Sequence, residues 1–373
     1  MNRLSDLVFM AVARLLPPAL RPWGLAAARE AESLPRPREA LRFAFGCLVW
    51  ATGEAVRFRI SNVKRQGEEL MDLINGPGPR GAAVLGGVGA ISLGLAYMAA
   101  AGAPPAYLMI NAGALAFGLV VLAILALADK RGHLPAGPVN LLLGLALLAV
   151  SVWGVSAGGV TRWAALGPLV IQPGFMVLPL MAVLFARSRD SLSLAGLAVA
   201  ALALALQPDR GMAGALAAGL TLLALMRPDR RTIAAAAAAL VGLGATLAQP
   251  DRSPAMPFVD QILYSAFALH PLAGAAVVLG SVLLLLPVLA ARRASGSEAP
   301  AYVVFGAFWA GIILAAALGN YPTPLVGYGG SAIVGYLLGL VVFARRAPAA
   351  ASTGVEVAPE RGTEEPLRLA PLS

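Results

Sequence analysis

The sequence predicts an all-α polytopic membrane protein of ten transmembrane helices, preceded by an amphipathic N-terminal extension on the cytoplasmic side. Three observations carry this. Of the 373 residues, 59% are hydrophobic and only 13% charged, and the mean hydropathy is +0.78. Apolar runs recur at lengths suited to a hydrocarbon core of about 30 Å. The short loops between those runs are alternately basic and nearly free of basic residues, the pattern that orients membrane helices.

Residues 1–80 differ in composition from the rest, being rich in Arg and Glu and broken by Pro17, Pro18, Pro22, Pro35 and Pro37. The opening apolar run is interrupted by Arg3, Asp6 and Arg14, so it does not read as a signal peptide. Residues 38–65 read as a helix whose apolar part, residues 43–52, is too short to span; basic residues follow it, and an interfacial helix is expected. Ten apolar segments then cover 81–100, 105–128, 137–156, 169–186, 191–206, 211–226, 232–248, 259–291, 301–319 and 325–344. The long one at 259–291 contains His270-Pro271, which predicts a kink or a short helix followed by a span. Residues 81–346 thus form the membrane domain, and 347–373, rich in Pro, Glu and Ala, form a disordered cytoplasmic tail.

Eleven basic residues occupy every second loop: Lys130 and Arg131; Arg187 and Arg189; Arg227, Arg230 and Arg231; Arg292 and Arg293; Arg345 and Arg346. The alternate loops hold only Arg162, Arg210 and Arg252. Both termini are therefore expected in the cytoplasm. The net charge of +9 is explained by these loops, so no nucleic-acid partner is expected. One cysteine, Cys47, and two histidines, His133 and His270, make neither a disulfide nor a metal cluster. No cofactor is expected, and a divalent cation is left as an open requirement.

This orientation puts the unusual polar motifs together on the outer face: GVTRWAALGPLVIQPGF (159–175), QPDRG (207–211), QPDRSPAMPFVD (249–260) and NYPTPLVGYGGS (320–331). The last lies between two apolar runs. It reads either as a Gly/Pro turn or as a site, because non-helical backbone at membrane depth must be buried in protein or line a wet cavity. The Asp-Arg pairs at 209–210 and 251–252 fit solvated loop ions or an anion-binding cleft, in which guanidinium forks match diphosphate oxygens. Asp260, at the mouth of an apolar run, is either an N-cap or a general base with a pKa raised by desolvation.

The order and spacing of these motifs resemble the SEDS family (shape, elongation, division and sporulation) of membrane glycosyltransferases. The family's G-A-x-R-W…G…Q-P-S-E stretch is matched by Gly159, Arg162, Trp163, Gly167, Gln172 and Pro173. Its Q-P-D-x-G motif is matched by Gln207, Pro208, Asp209 and Gly211, and its P-x-P-F-V-S-Y-G-G-S motif by Pro322, Pro324, Val326, Tyr328, Gly329, Gly330 and Ser331. The resemblance covers residues 81–346 and implies a multi-pass protein of the bacterial cytoplasmic membrane. The implied activity is polymerisation of lipid II, the undecaprenyl-diphosphate-linked disaccharide-pentapeptide, in cell elongation or division. A single-span transpeptidase, a class B penicillin-binding protein, is the partner it implies. Asp260 carries over as the catalytic acid-base residue, with Gly274 fourteen residues on. Arg162, Arg210 and Arg252 would meet the diphosphate, and Trp163, Gln172, Gln207, Asp209, Pro324, Tyr328, Gly329, Gly330 and Ser331 would line the substrate site.

The chain also departs from the family pattern. Gln172-Pro173 continues as Gly174-Phe175 without the usual carboxylate, Ala268 and Leu269 replace paired glutamates, and the large outer loop shrinks to residues 249–259. A catalytically degenerate lipid-binding scaffold is therefore the rival expectation. A lipid-linked substrate transporter is the third, although apart from Asn111 the spans are nearly free of the midplane polar residues it would want.

Overall fold

The computed structural model describes residues 3–75, 78–128, 135–157, 159–167, 169–250, 254–291 and 298–343. They fall into two compact units, Met1–Ala82 and Ala83–Ser373.

The first unit holds α1 (Arg3–Leu15), a 3-10 turn (Pro18–Leu20), α2 (Arg21–Glu32) and α3 (Pro37–Asn75). The prolines set the breaks: Pro22 sits in the first turn of α2 and Pro37 opens α3, positions where a missing N–H is tolerated. A small core joins Phe9 and Val12 of α1 and Leu16 just after it to Ala27 and Ala31 of α2 and to Ala44, Cys47 and Ala51 of α3. Helix α3 runs ten residues beyond the expected end at 65. No proline falls between Pro37 and Pro77, and the added stretch is mostly strong helix formers.

The second unit begins within α4 (Gly78–Ala100) and continues through α5 (Pro105–Ala128) and α6 (Ala136–Trp153) into strands β1 (Val155–Ala157), β2 (Val160–Leu166) and β3 (Leu169–Ile171). Next come α7 (Pro173–Ser188), α8 (Ser191–Leu206), α9 (Arg210–Met226), α10 (Arg230–Leu247), α11 (Ile262–Leu269), α12 (Pro271–Leu283), α13 (Leu286–Ala290), α14 (Glu298–Leu318) and α15 (Gly330–Gly339). Each of the ten apolar segments contains a helix, but they are not ten long spans. Among the described residues four helices, α4, α5, α6 and α14, are long and apolar enough to cross a bilayer alone, and α7, α8, α9, α12 and α15 are shorter. The 259–291 segment breaks into three helices. At its first break the His270 ring nitrogen accepts the Leu272 N–H and caps α12.

The polar loop expected at 159–175 is a three-stranded antiparallel sheet in the order β1-β2-β3, with Val155 opposite Trp163 and Ala164 opposite Ile171. Its strands carry Val, Thr and Ile, which suit a pleated surface, and Gly159 and Gly167 take positive φ at the two turns. The apolar segment placed at 169–186 therefore starts as a strand and becomes helix only at Pro173.

Helices α6 and α8 cross at a glycine contact, where a side chain on Gly144 would run into the Gly196 carbonyl. Close approach of this kind is how apolar helices associate where lipid removes the hydrophobic driving force. The centre of the unit is aromatic: Phe305 and Trp309 of α14 pack on Tyr336 of α15 and are fully buried. The Tyr336 hydroxyl donates to the Ala83 and Leu284 carbonyls.

Candidate functional site

The NYPTPLVGYGGS segment folds inward. Residues 323–327 are buried, and the backbone there is non-helical. Two neighbours hold its backbone through hydrogen bonds. From α5, the Asn111 amide donates to the Gly327 carbonyl at 2.8 Å and accepts the Gly329 N–H at 3.1 Å. From the segment preceding α11, the Val259 carbonyl takes the Thr323 N–H at 3.0 Å and the Phe258 carbonyl takes the Tyr328 N–H at 2.6 Å. Irregular backbone is thus tolerated because it is enclosed by protein. Pro324 is part of this buried plug, while Tyr328, Gly329 and Gly330 are half-buried at its edge.

Asp260 pairs with Pro322 in an isolated antiparallel bridge. It does not cap α11; Gln261 occupies that position without a side-chain cap bond. The Asp260 carboxylate turns back instead, and Oδ2 accepts the Met256 N–H at 2.9 Å while the Asp260 N–H donates to the Met256 carbonyl at 2.9 Å. The backbone around it is strained. Five non-glycine residues among those described have positive φ, and three of them, Phe258 at 62°, Gln261 at 56° and Leu325 at 62°, lie at this pairing. Such residues cost on the order of 1–3 kcal/mol each and persist where the surroundings over-determine them, typically at functional sites. The Gln261 amide donates to Asn320 Oδ1 at 2.7 Å, tying the two strained segments together.

Tyr107 completes the arrangement. Its ring stacks on Tyr328 at 3.9 Å and 11°, and meets Phe258 edge-on at 6.3 Å. Tyr107, Ile110, Asn111 and Ala114 form one face of α5, with Ile110 and Ala114 against Gly330 and the spacing that puts side chains on one helical stripe. Sequence reading passed over Tyr107. The signal was present as Tyr and Asn four apart in an otherwise apolar helix.

A second cluster lies where α7, α9 and α15 begin. The Gln172 N–H donates to Ser331 Oγ at 2.9 Å, and the Gln172 amide donates to Asp209 Oδ2 at 2.9 Å. Asp209, buried, caps α9 by accepting the Met212 N–H. Three motif residues far apart in sequence thus form one hydrogen-bonded set. It joins the first cluster through the chain between Tyr328 and Ser331 and through Tyr321, whose ring lies against Gly211.

The remaining expected residues are spread out. The Gln207 amide, buried, donates to the Leu147 carbonyl and Ser151 Oγ. Arg210 donates to the Thr246 and Gln249 carbonyls and so closes the end of α10. Arg162 lies over the ring of its neighbour Trp163 on β2, at 4.7 Å. Arg252 falls outside the described residues.

No family model matches the chain. A 90-residue stretch is 41% identical to a probable peptidoglycan glycosyltransferase FtsW of Nitrosococcus halophilus, a match covering 20% of this chain and 23% of that relative's length. The fold is similar to that of the rod shape determining protein RodA of Thermus thermophilus, with a TM-score of 0.51 and 23% identity over 69% of this chain and 93% of that one. An aspartate-to-alanine variant of that protein matches similarly, with a TM-score of 0.51 and 22% identity over 69% of this chain and 94% of its own. A stretch of the chain is thus similar in sequence to an FtsW, and its fold is similar to that of a RodA. Within this RodA-like fold the 320–331 segment pairs with Asp260 through Pro322.

Proposed function

We propose that this protein is a SEDS-family peptidoglycan glycosyltransferase acting on lipid II at the outer face of the cytoplasmic membrane, with ten membrane passages, both termini inside and a single-span transpeptidase as partner. The observation that carries the reading is the pairing of Asp260 with the 320–331 segment, where strained backbone is held from both sides. Asp260 takes the proton of the acceptor sugar hydroxyl. That oxygen forms a bond to the anomeric carbon of the donor as the bond from that carbon to diphosphate oxygen breaks, and undecaprenyl diphosphate leaves. A positioned base of this type contributes about 10²–10⁴-fold to rate.

Arg162 and Arg252 are the arginines assigned to the leaving diphosphate, and Arg210 closes the end of α10. Tyr328, held flat on Tyr107, offers an aromatic wall to the sugar.

Purified protein supplied with labelled lipid II, alone and with a transpeptidase, tests this. Polymer from the wild type and a loss of at least about 10²-fold in Asp260→Ala is expected. Equal polymer from both removes Asp260 from the mechanism. Lipid II binding without polymer supports the rival reading, a degenerate scaffold, which the missing glutamates at Ala268 and Leu269 favour.

A further inference from the structure

The N-terminal unit presents a surface that its own small core does not use. On α3 the buried face is Ala40, Ala44, Cys47 and Ala51, while Phe45, Val49 and Val56 stand on the opposite face, exposed by 49%, 72% and 56%. Leu7 and Met10 of α1 and Leu25 of α2 are exposed as well. Trp23 and Trp50 pack against each other with centroids 4.2 Å apart, both remain exposed, and they border a groove that also takes in Leu34, Arg42 and Phe43. An apolar display of this breadth marks an interaction surface.

The charges around it identify what it meets. Arg38 and Arg42 stand at one end of the Phe45–Val56 stripe and Arg59 at the other, all exposed and with no ion pair among the described residues; Arg57 is held by Glu54 at 2.9 Å. Helix α3 ends at Asn75 and the membrane helix α4 starts at Gly78, so the unit is tethered two residues from a span. Tryptophans with apolar bodies and polar edges favour the bilayer interface, and arginines beside an apolar stripe favour anionic lipid.

We infer that the N-terminal unit is an interfacial anchor that seats the α3 stripe and the Trp23–Trp50 pair in an anionic bilayer surface, with Arg38, Arg42 and Arg59 on lipid phosphates. At roughly 1 kcal/mol per arginine near such a surface, the three together carry on the order of a hundredfold in partitioning. Glycosyl transfer plays no part in this assignment.

The full chain carrying Cys47→Ala and Val49→Cys, nitroxide-labelled and reconstituted into phosphatidylglycerol-containing vesicles, reads the seating directly. Position 49 is expected to be reached by oxygen and shielded from a water-soluble nickel chelate. The shielding should fall in purely zwitterionic phosphatidylcholine vesicles and in the Arg38→Gln, Arg42→Gln, Arg59→Gln triple variant. Free access of the chelate in the anionic vesicles overturns the anchor. Shielding that ignores lipid charge and arginines overturns the anionic surface as its occupant, and shielding lost on dilution to one copy per vesicle assigns the face to a second copy instead. Brominated phosphatidylglycerol provides a check without the cysteine changes. It should quench the wild-type fluorescence more than that of the Trp23→Phe, Trp50→Phe double variant, and equal quenching contradicts the seating.

Discussion

Asn111 shows how much one polar residue can settle inside an apolar bundle. Both ends of its amide are used on the 320–331 segment, so truncation removes two hydrogen bonds and leaves a buried carbonyl unsatisfied. Asn111→Ala should cost about 1–3 kcal/mol, read as a lower midpoint in thermal unfolding in detergent, and should disturb the Tyr107–Tyr328 stack. Thr323 is the opposite case. Its hydroxyl is buried without a hydrogen-bond partner among the described residues, so Thr323→Val should be neutral or stabilising. A Thr323→Val protein that is as stable as the wild type but slower with lipid II would give that hydroxyl a role toward substrate.

Charge at the basic-loop side follows the same logic. Hydrogen bonds from the Thr232 and Arg231 N–H groups hold the Asp229 carboxyl below the usual carboxylate range. Partial burial pushes Asp190 upward, but the Ser193 N–H and hydroxyl outweigh it and its carboxyl also ends below the usual value. A depressed folded pKa contributes stability that is complete above the unfolded value, about 4, and is lost as pH falls through the folded one. Asp229→Ala should therefore cost about 1 kcal/mol near neutrality, and the gap from wild type should close as unfolding is followed to acid pH.

At the scale of elements, glycines decide which helices meet. A side chain at Gly144 would strike the Gly196 carbonyl, and one at Gly335 the Phe175 carbonyl. Gly144→Val should therefore separate α6 from α8 and abolish a monodisperse peak in size-exclusion chromatography, whereas Gly113→Ala, where a side chain meets open space, should lose no more than the wild type. The α5 stripe of Tyr107, Ile110, Asn111 and Ala114 was legible as periodicity, but its partner was not. Nothing in a linear sequence says that the stripe faces a segment more than two hundred residues away.

The β-sheet was missed because its strands are short and one carries Arg162-Trp163 between turn residues, so it read as a polar loop. The break of 259–291 into helices was foreseen at His270-Pro271, since proline removes a helical N–H. The break after Leu283 carries a similar mark that sequence reading passed over, Pro287 in the first turn of α13, four residues on.

For the whole molecule, orientation remains the most direct test of the topology. In intact cells a cysteine at Ala165 should react with a membrane-impermeant maleimide and one at Pro228 should not; equal labelling would invert or redraw the arrangement proposed here.

The sequence by itself determined the membrane class, the ten apolar segments, the alternation of basic loops and the resemblance to the SEDS family, because these depend on composition, run length and ordered local motifs. It also singled out Asp260 and the 320–331 segment. Only the tertiary structure decided that the two pair, that the segment is a buried plug with its edge at Tyr328, that Asp209 caps a helix while holding Gln172, and that Arg210 closes α10. The reason is physical. Hydrophobic burial is a sum over residues and leaves its imprint on every run, whereas a carboxylate or a guanidinium takes its role from whichever donor or acceptor the packed helices bring within 3 Å or so.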